Sequence, residues 1–167
     1  EVTTFSPLLG ESPSVFADSI YLPGGYPELY ASELVANDFG NKIRSLGKSG
    51  IRIFGECGGY MVLGRGITDK NGSRFKMSGL LPLETSFEKS SLHLGYRKVS
   101  TLTKSPLGEA GCEFKGHEFH YANIISETGA KPLFKSTNAK GDPLGEAGMI
   151  DGNIAGSFIH LVDQCED

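Results

Sequence analysis

The 167-residue chain has no long apolar run, no basic cluster and only three cysteines. No stretch approaches the roughly 20 consecutive apolar residues that a membrane helix needs, so no span is expected. Lys and Arg number 16 against 20 Asp and Glu, for a formal charge of −4. With no local Lys/Arg cluster, this argues against nucleic acid as a partner. Cys57, Cys112 and Cys165 cannot all pair and none lies in a C-x-x-C. So sparse and odd a count suits a reducing compartment, the cytoplasm, and leaves one reactive thiol open. The phosphate-binding pattern G-x-x-x-x-G-K-[ST] is absent. No basic-then-apolar leader is seen, and the chain begins at Glu1 without Met, as expected of a piece of a longer protein.

What is there describes one globular domain over residues 1–167. Hydrophobic side chains make up 38%, and about 150 residues per domain is the usual allotment. A chain of this size buries roughly 70% of the surface that it exposes when unfolded, enough for one core without disulfides. Glycine is in excess: 23 residues, about twice the usual ~7% share. That points to tight turns and close backbone approaches, as in α/β enzymes whose sites are built from loops.

Ser19-Ile20-Tyr21-Leu22 reads as a strand stopped by Pro23-Gly24-Gly25. Pro27 then opens a helix with Glu28 in its first turn. Leu29, Leu34, Phe39, Ile43 and Leu46 make its apolar face, with a kink expected near Gly40 and an end at Gly47. Ile51-Arg52-Ile53-Phe54 is the second strand, and Tyr60, Met61 and Leu63 form a short helix stopped at Gly64. This alternation predicts a parallel sheet with flanking helices. Further on, Lys76–Leu83, Leu94–Leu102, Cys112–Ile125 and Glu146–His160 read as strands, with an Asp151-Gly152 hairpin turn inside Met149–Ile154. Glu127–Pro143 reads as loop with one short strand.

Gly55-Glu56-Cys57-Gly58-Gly59 carries the most chemistry. A cysteine between an apolar strand and a glycine-bounded helix sits where G-x-S-x-G enzymes hold their nucleophile. The helix N-terminus is expected to lower its pKa, and the Gly58 N–H follows the nucleophile as an oxyanion donor. A lone cysteine is more often a buried packing residue; the strand–G-x-C-x-G–helix setting favours the nucleophile. A thiol nucleophile needs a base, for which His93, His117, His120 and His160 are available. His160 closes the strand Gly156–His160 at the sheet edge where α/β sites lie. His117 and His120 would point to opposite faces of one strand, which argues against a shared metal. His93 reads as a polar loop residue. Gly24-Gly25, after the first strand, offers Gly25 as the second oxyanion donor.

Five ordered blocks carry a resemblance over about Phe5–Leu161. They are Leu22–Glu28, Glu56–Met61, Gly95-Tyr96-Arg97, Gly116–Tyr121 and Gly156–Leu161. Together they resemble the glutamine amidotransferase domain of cobyrinic acid a,c-diamide synthases. The resemblance implies a class I, triad-type glutaminase with a flavodoxin-like open sheet flanked by helices, its first strand and last helix lying outside this chain. It implies Cys57 as nucleophile and His160 as base. Glutamine is hydrolysed in such domains, and the ammonia goes to an N-terminal ATP-dependent synthetase domain, which uses ATP and Mg²⁺ to amidate the a and c carboxylates of a corrinoid. No cofactor or metal is then expected in this chain. The wider class carries Glu two residues after its histidine; Val162 stands there, with Asp163 next. Strand alternation turns Asp163 away from His160, so Glu118 or His120 is expected to orient the imidazole. A catalytically silent docking module and a free cysteine hydrolase are the competing readings. The acceptor is open among cobyrinic acid, its hydrogenobyrinic relative and a nickel sirohydrochlorin.

Overall fold

Ser19-Ile20-Tyr21-Leu22 alternates exposed and buried positions, and it forms strand β1 (Ser19–Leu22) in the computed structural model, which describes residues 1–165. A 3₁₀ turn at Pro27–Leu29 follows, then α1 (Ala31–Ala36) and α2 (Phe39–Lys48). The single helix expected from Pro27 is thus in three pieces. The main break lies at Asp38, held at φ 57°, not at Gly40. A left-handed residue cannot continue a right-handed helix. Gly40 instead lets α2 approach Met77, whose carbonyl carbon would lie 3.1 Å from an added Cβ. Leu29 is exposed, whereas Leu34, Phe39, Ile43 and Leu46 are buried as expected.

β2 (Arg52–Glu56) runs parallel to β1 and leads into α3 (Gly58–Leu63), which Gly64 ends. β3 (Gly66–Thr68), β4 (Arg74–Lys76) and β5 (Leu83–Ser86) come next. Lys76–Leu83, expected as a strand, is mostly a connection. Its amides serve the end of α3: Ser78 N–H donates to Val62 O at 3.1 Å and Leu81 N–H to Leu63 O at 2.9 Å. A helix C-terminus leaves its last carbonyls without intrahelical partners, and these bonds supply them.

The chain then continues as β6 (His93–Thr101), β7 (Glu113–His120), β8 (Asn123–Glu127) and β9 (Lys131–Thr137). β10 (Pro143–Asp151), β11 (Ile154–Ser157) and β12 (Ile159–Gln164) complete it. Glu127–Pro143 therefore holds a seven-residue strand, with Leu133 and Phe134 both fully buried. The hairpin at 149–154 forms, but its turn residues are Gly152-Asn153, because Asp151 still pairs with Ile154. Gly152, at φ 58°, takes the left-handed position that the turn demands.

Among the described residues these strands form an eight-stranded sheet, ordered β1-β2-β11-β10-β9-β6-β7-β12, and a four-stranded one, β4-β3-β5-β8. Only β1, β2 and β11 of the large sheet are mutually parallel neighbours; its other pairs are antiparallel. All three helices pack on one face, where Ile20, Leu22, Ile53 and Ile154 meet Leu34, Ile43, Met61 and Leu63. The opposite face carries no helix among the described residues. There Phe54 and Ala155 pack with Val99, Phe114, Phe134 and Ile159 from the sheet's own antiparallel strands. The expected open sheet flanked by helices is corrected in this respect: one layer is helical and the other is the sheet folding over itself. That curl brings β12, the far edge, over the end of β2.

Phe134 is fully buried in the all-strand cluster. Phe134→Ala is expected to lower the unfolding free energy by about 3–5 kcal/mol, the usual cost of a large cavity. Urea denaturation followed by circular dichroism measures it.

Candidate active site

Cys57 joins β2 to α3 with φ 51° and ψ −104°, which only a close-packed surround sustains in a non-glycine residue. Its N–H donates to Ser157 O at 2.8 Å, and its carbonyl accepts from Met61 N–H at 3.1 Å. The elbow seats directly on the end of β1: a Cβ on Gly59 would lie 2.1 Å from Leu22 O. One on Gly58 would lie 2.8 Å from Gly25 N, so the loops after β1 and β2 touch. The amides of Gly58 and Gly25 both favour the ionised form of the Cys57 sulfur. Among the described residues no backbone carbonyl accepts from Gly25 N–H.

His160 is the second residue of β12, not the end of a strand. β11 stops at Ser157, whose Oγ accepts from Ile159 N–H at 2.8 Å, and the chain restarts antiparallel to β7. The imidazole stacks on His117, with ring centroids 4.9 Å apart and planes 7° from parallel. A Cβ on Gly24 would lie 2.6 Å from His160 Cε1 and 3.6 Å from Cys57 Cβ. Gly24 thus lies against both the His160 ring and Cys57, where no side chain fits. The carboxylate nearest the ring is Glu56, with Oε1 3.3 Å from Nδ1.

Asp163 is exposed. The alternation reasoning that turned it away fails, because a register shift at Val162 pairs Leu161 with Gly116 but Asp163 with Lys115. The extra residue returns Asp163 to the face shared by Lys115, His117 and His160. Glu56, not Asp163, is nonetheless the carboxylate at the imidazole.

Glu118 and His120 form a pairing of their own. Glu118 accepts from Arg97 at 2.7 and 3.0 Å and meets His120 Nε2 at 2.8 Å. The His120 bond, together with Arg97, holds the Glu118 carboxyl down at about 2, against the opposing effect of burial. His120 Nδ1 faces Ala122 O at 3.0 Å, and the ring stacks on Phe158 at 3.8 Å. His93 begins β6 rather than lying in a loop, and stacks on His120 at 4.6 Å. The ligand atoms of His93, Glu118 and His120 lie within 4.8 Å of one another. Both nitrogens of His120 already face acceptors and Glu118 already holds Arg97, so that group is spoken for. β7 reaches Cys57 through its backbone: Phe119 O lies 3.7 Å from Cys57 Sγ.

Burial pushes the Cys57 thiol up to about 11; the Gly58 amide opposes this, the Glu56 and Glu28 carboxylates add to it, and the Gly25 amide opposes it again. The expected lowering by the helix N-terminus is therefore corrected. α3 has six residues, and its dipole is outweighed by desolvation. Glu28 is itself raised by burial, and its Oε2 is buried with no hydrogen-bond partner among the described residues. Sequence reasoning passes over Glu56 and Gly24. The available signal was a carboxylate closing the apolar run Ile53-Phe54-Gly55, since a buried charge requires a partner.

The CobB/CobQ-like glutamine amidotransferase domain profile matches residues 1–165. The chain is 51% identical over 166 residues to a hydrogenobyrinate a,c-diamide synthase of Brucella anthropi, covering 99% of this chain and 37% of that protein. A Rhizobium meliloti protein of the same name is 50% identical, with 99% and 38% covered. The chain thus spans little more than a third of these relatives. A glutamine amidotransferase structure from Thermotoga maritima superposes with a TM-score of 0.56 at 18% identity, covering 91% of this chain and 60% of that one. The PurLQS structure from Thermotoga maritima gives 0.57 at 16% identity, with 86% and 68% covered. These two establish the class I glutamine amidotransferase-like fold. No helix among the described residues is long and apolar enough to cross a membrane.

Because Cys57 is raised to about 11, its thiolate is scarce at neutral pH in the free protein. Alkylation of Cys57 by iodoacetamide, followed by mass spectrometry of its peptide, is expected to keep accelerating beyond pH 9 and to level only near 11. A plateau reached by pH 8 would show a thiolate already held by the imidazole.

Proposed function

The chain belongs to the CobB/CobQ-like glutamine amidotransferase domain family, and on that footing we propose that it hydrolyses glutamine to glutamate and ammonia. The observation that carries this reading is the convergence of Cys57 and the His160 ring at Gly24, where a single added Cβ would meet both. The Gly58 and Gly25 amides, both of which favour the thiolate, support it further. In the proposed reaction His160 takes the Cys57 proton, and the sulfur attacks the side-chain amide carbon of glutamine. The Gly25 and Gly58 N–H groups hold the oxyanion. His160 returns the proton to the departing nitrogen, which leaves as ammonia. Water, deprotonated by His160, then cleaves the thioester to glutamate and restores the thiol. Glu28, half-buried with its Oε2 buried and lacking a partner among the described residues, suits the α-ammonium group of the substrate.

The ammonia serves an amidation performed by a companion synthetase domain in the remaining length of the relatives, where ATP and Mg²⁺ belong. The relatives are named for hydrogenobyrinate, which favours that acceptor over cobyrinic acid for this chain as well. Their a and c carboxylates are the groups amidated.

Incubation with a diazoketone analogue of glutamine is expected to label Cys57 alone, leaving Cys112 and Cys165 free. Cys57→Ser should abolish glutamate release, and loss of His160 should slow it on the order of 10²–10⁴-fold. Preferred labelling of Cys165, or release that survives Cys57→Ser, would overturn the assignment. Failure to label any cysteine, with or without the synthetase part, would favour a silent docking module. Faster hydrolysis of simple thioesters than of glutamine would favour a free hydrolase. In a separate kinetic test, Glu28→Gln should raise KM for glutamine about tenfold, the worth of one charge-assisted bond, with kcat nearly unchanged.

A further inference from the structure

Glu56 is only 5% exposed and follows three buried residues, Ile53, Phe54 and Gly55, at the end of β2. A carboxylate so placed must be matched by donors; two hydrogen bonds reach it, and the His160 ring lies beside them. Tyr21 Oη donates to Oε1 at 2.9 Å, Leu161 N–H donates to Oε2 at 3.0 Å, and His160 Nδ1 lies 3.3 Å from Oε1. The first of these groups lies on β1 and the other two on β12, so one side chain ties the nucleophile's neighbours to both. Its grip on the base is double: it faces the ring of His160 and holds the amide of the next residue.

We propose that Glu56 is the positioning residue of His160, taking the place of the carboxylate that follows the histidine in the wider class. The proposal deepens the glutaminase reading and rests on it for the reaction concerned. A carboxylate at Nδ1 selects the tautomer with its proton on Nδ1 and a lone pair on Nε2, the nitrogen that is then free for the Cys57 thiol. As the ring gains a proton from Cys57, the imidazolium draws Nδ1–H toward Oε1 and closes the 3.3 Å separation, as hydrogen bonds in apo catalytic sites do on reaction. Glu56 exchanges no proton with substrate; it acts through the ring. Glu118 and His120 do not compete for the role, being bonded to Arg97, Ala122 and each other.

The test is nitrogen NMR of the ring on the ¹⁵N-labelled chain, together with the rate at which the diazoketone inactivates it. In the wild-type protein the neutral His160 ring should show the Nδ1–H tautomer, a measurement that needs no variant to fold. In Glu56→Gln the tautomer preference should be lost or reversed. The maximal inactivation rate should fall about 10²-fold while half-saturation stays within about threefold, the pattern of an interaction made at the chemical step. Asp163→Asn should change neither readout. An Nε2–H tautomer in the wild type, or a folded Glu56→Gln with unchanged tautomer and rate, would overturn the proposal. Wild-type protein that shows the Nδ1–H tautomer yet ignores the diazoketone and glutamine would overturn the glutaminase reading instead.

Discussion

Cys57 is held at φ 51° and ψ −104°, and the architecture around it exists to hold that conformation. A non-glycine residue there costs about 1–3 kcal/mol, which its surroundings must offset. They do so with backbone rather than side chains: the end of β1 against Gly59, the Gly25 loop against Gly58, and Ser157 of β11 on the Cys57 amide. Three mutually parallel strands therefore fix the elbow from below, while α3, which starts from it, locks into the helical layer through Tyr60, Met61 and Leu63.

The electrostatics around the sulfur oppose its ionisation in the free protein. Desolvation is the largest effect, and two carboxylates, Glu56 and Glu28, add to it. The thiol is thus latent, and a bound substrate changes each contribution. In the proposed reaction the α-ammonium of glutamine neutralises Glu28, and the proton passed to His160 meets Glu56. Both carboxylates then cease to oppose negative charge near Cys57. Such a site reacts with a substrate that carries a matching cation far more readily than with a neutral thiol reagent, and reactivity becomes a consequence of binding.

The sequence spoke clearly where local chemistry decided the outcome. β1, β2, α3 and the stop at Gly64 follow from short apolar runs and glycine placement. The five blocks that suggested the family contain Gly24, Gly25, Glu56, Cys57 and His160, and the structure gathers them at one sheet edge. What stayed hidden is long-range. That Phe134 and Phe54 share a cluster depends on the curl of the sheet, which no window of sequence encodes. Asp38 breaks the helix through backbone conformation, and that conformation also brings Asn37 Nδ2 onto the carbonyls of Pro7 and Leu8. Unbroken strand alternation turns Asp163 away and leaves Glu118 or His120 as the expected orienting group; the shift at Val162 breaks that alternation, and the carboxylate at the ring is Glu56 of β2.

The placement of the carboxylate has its own logic. A residue two positions after the base can follow the base's strand in any small movement and still leave the pair misaligned with the nucleophile. Glu56 precedes Cys57, so its position relative to the sulfur is fixed by one peptide bond and by strand pairing of β2 on both sides. Through Leu161 N–H and His160 Nδ1 it transfers that fixed position to β12, which follows β11 after Phe158 and then pairs with β7. Catalytic groups must be held within about 0.5 Å, and an edge strand pairing with β7 alone is poorly suited to that. The cost is Coulombic, since the charge that steadies the imidazole also raises the thiol. That cost falls on the resting state and is cancelled once the imidazole is protonated, so it leaves the proposed reacting state almost untouched.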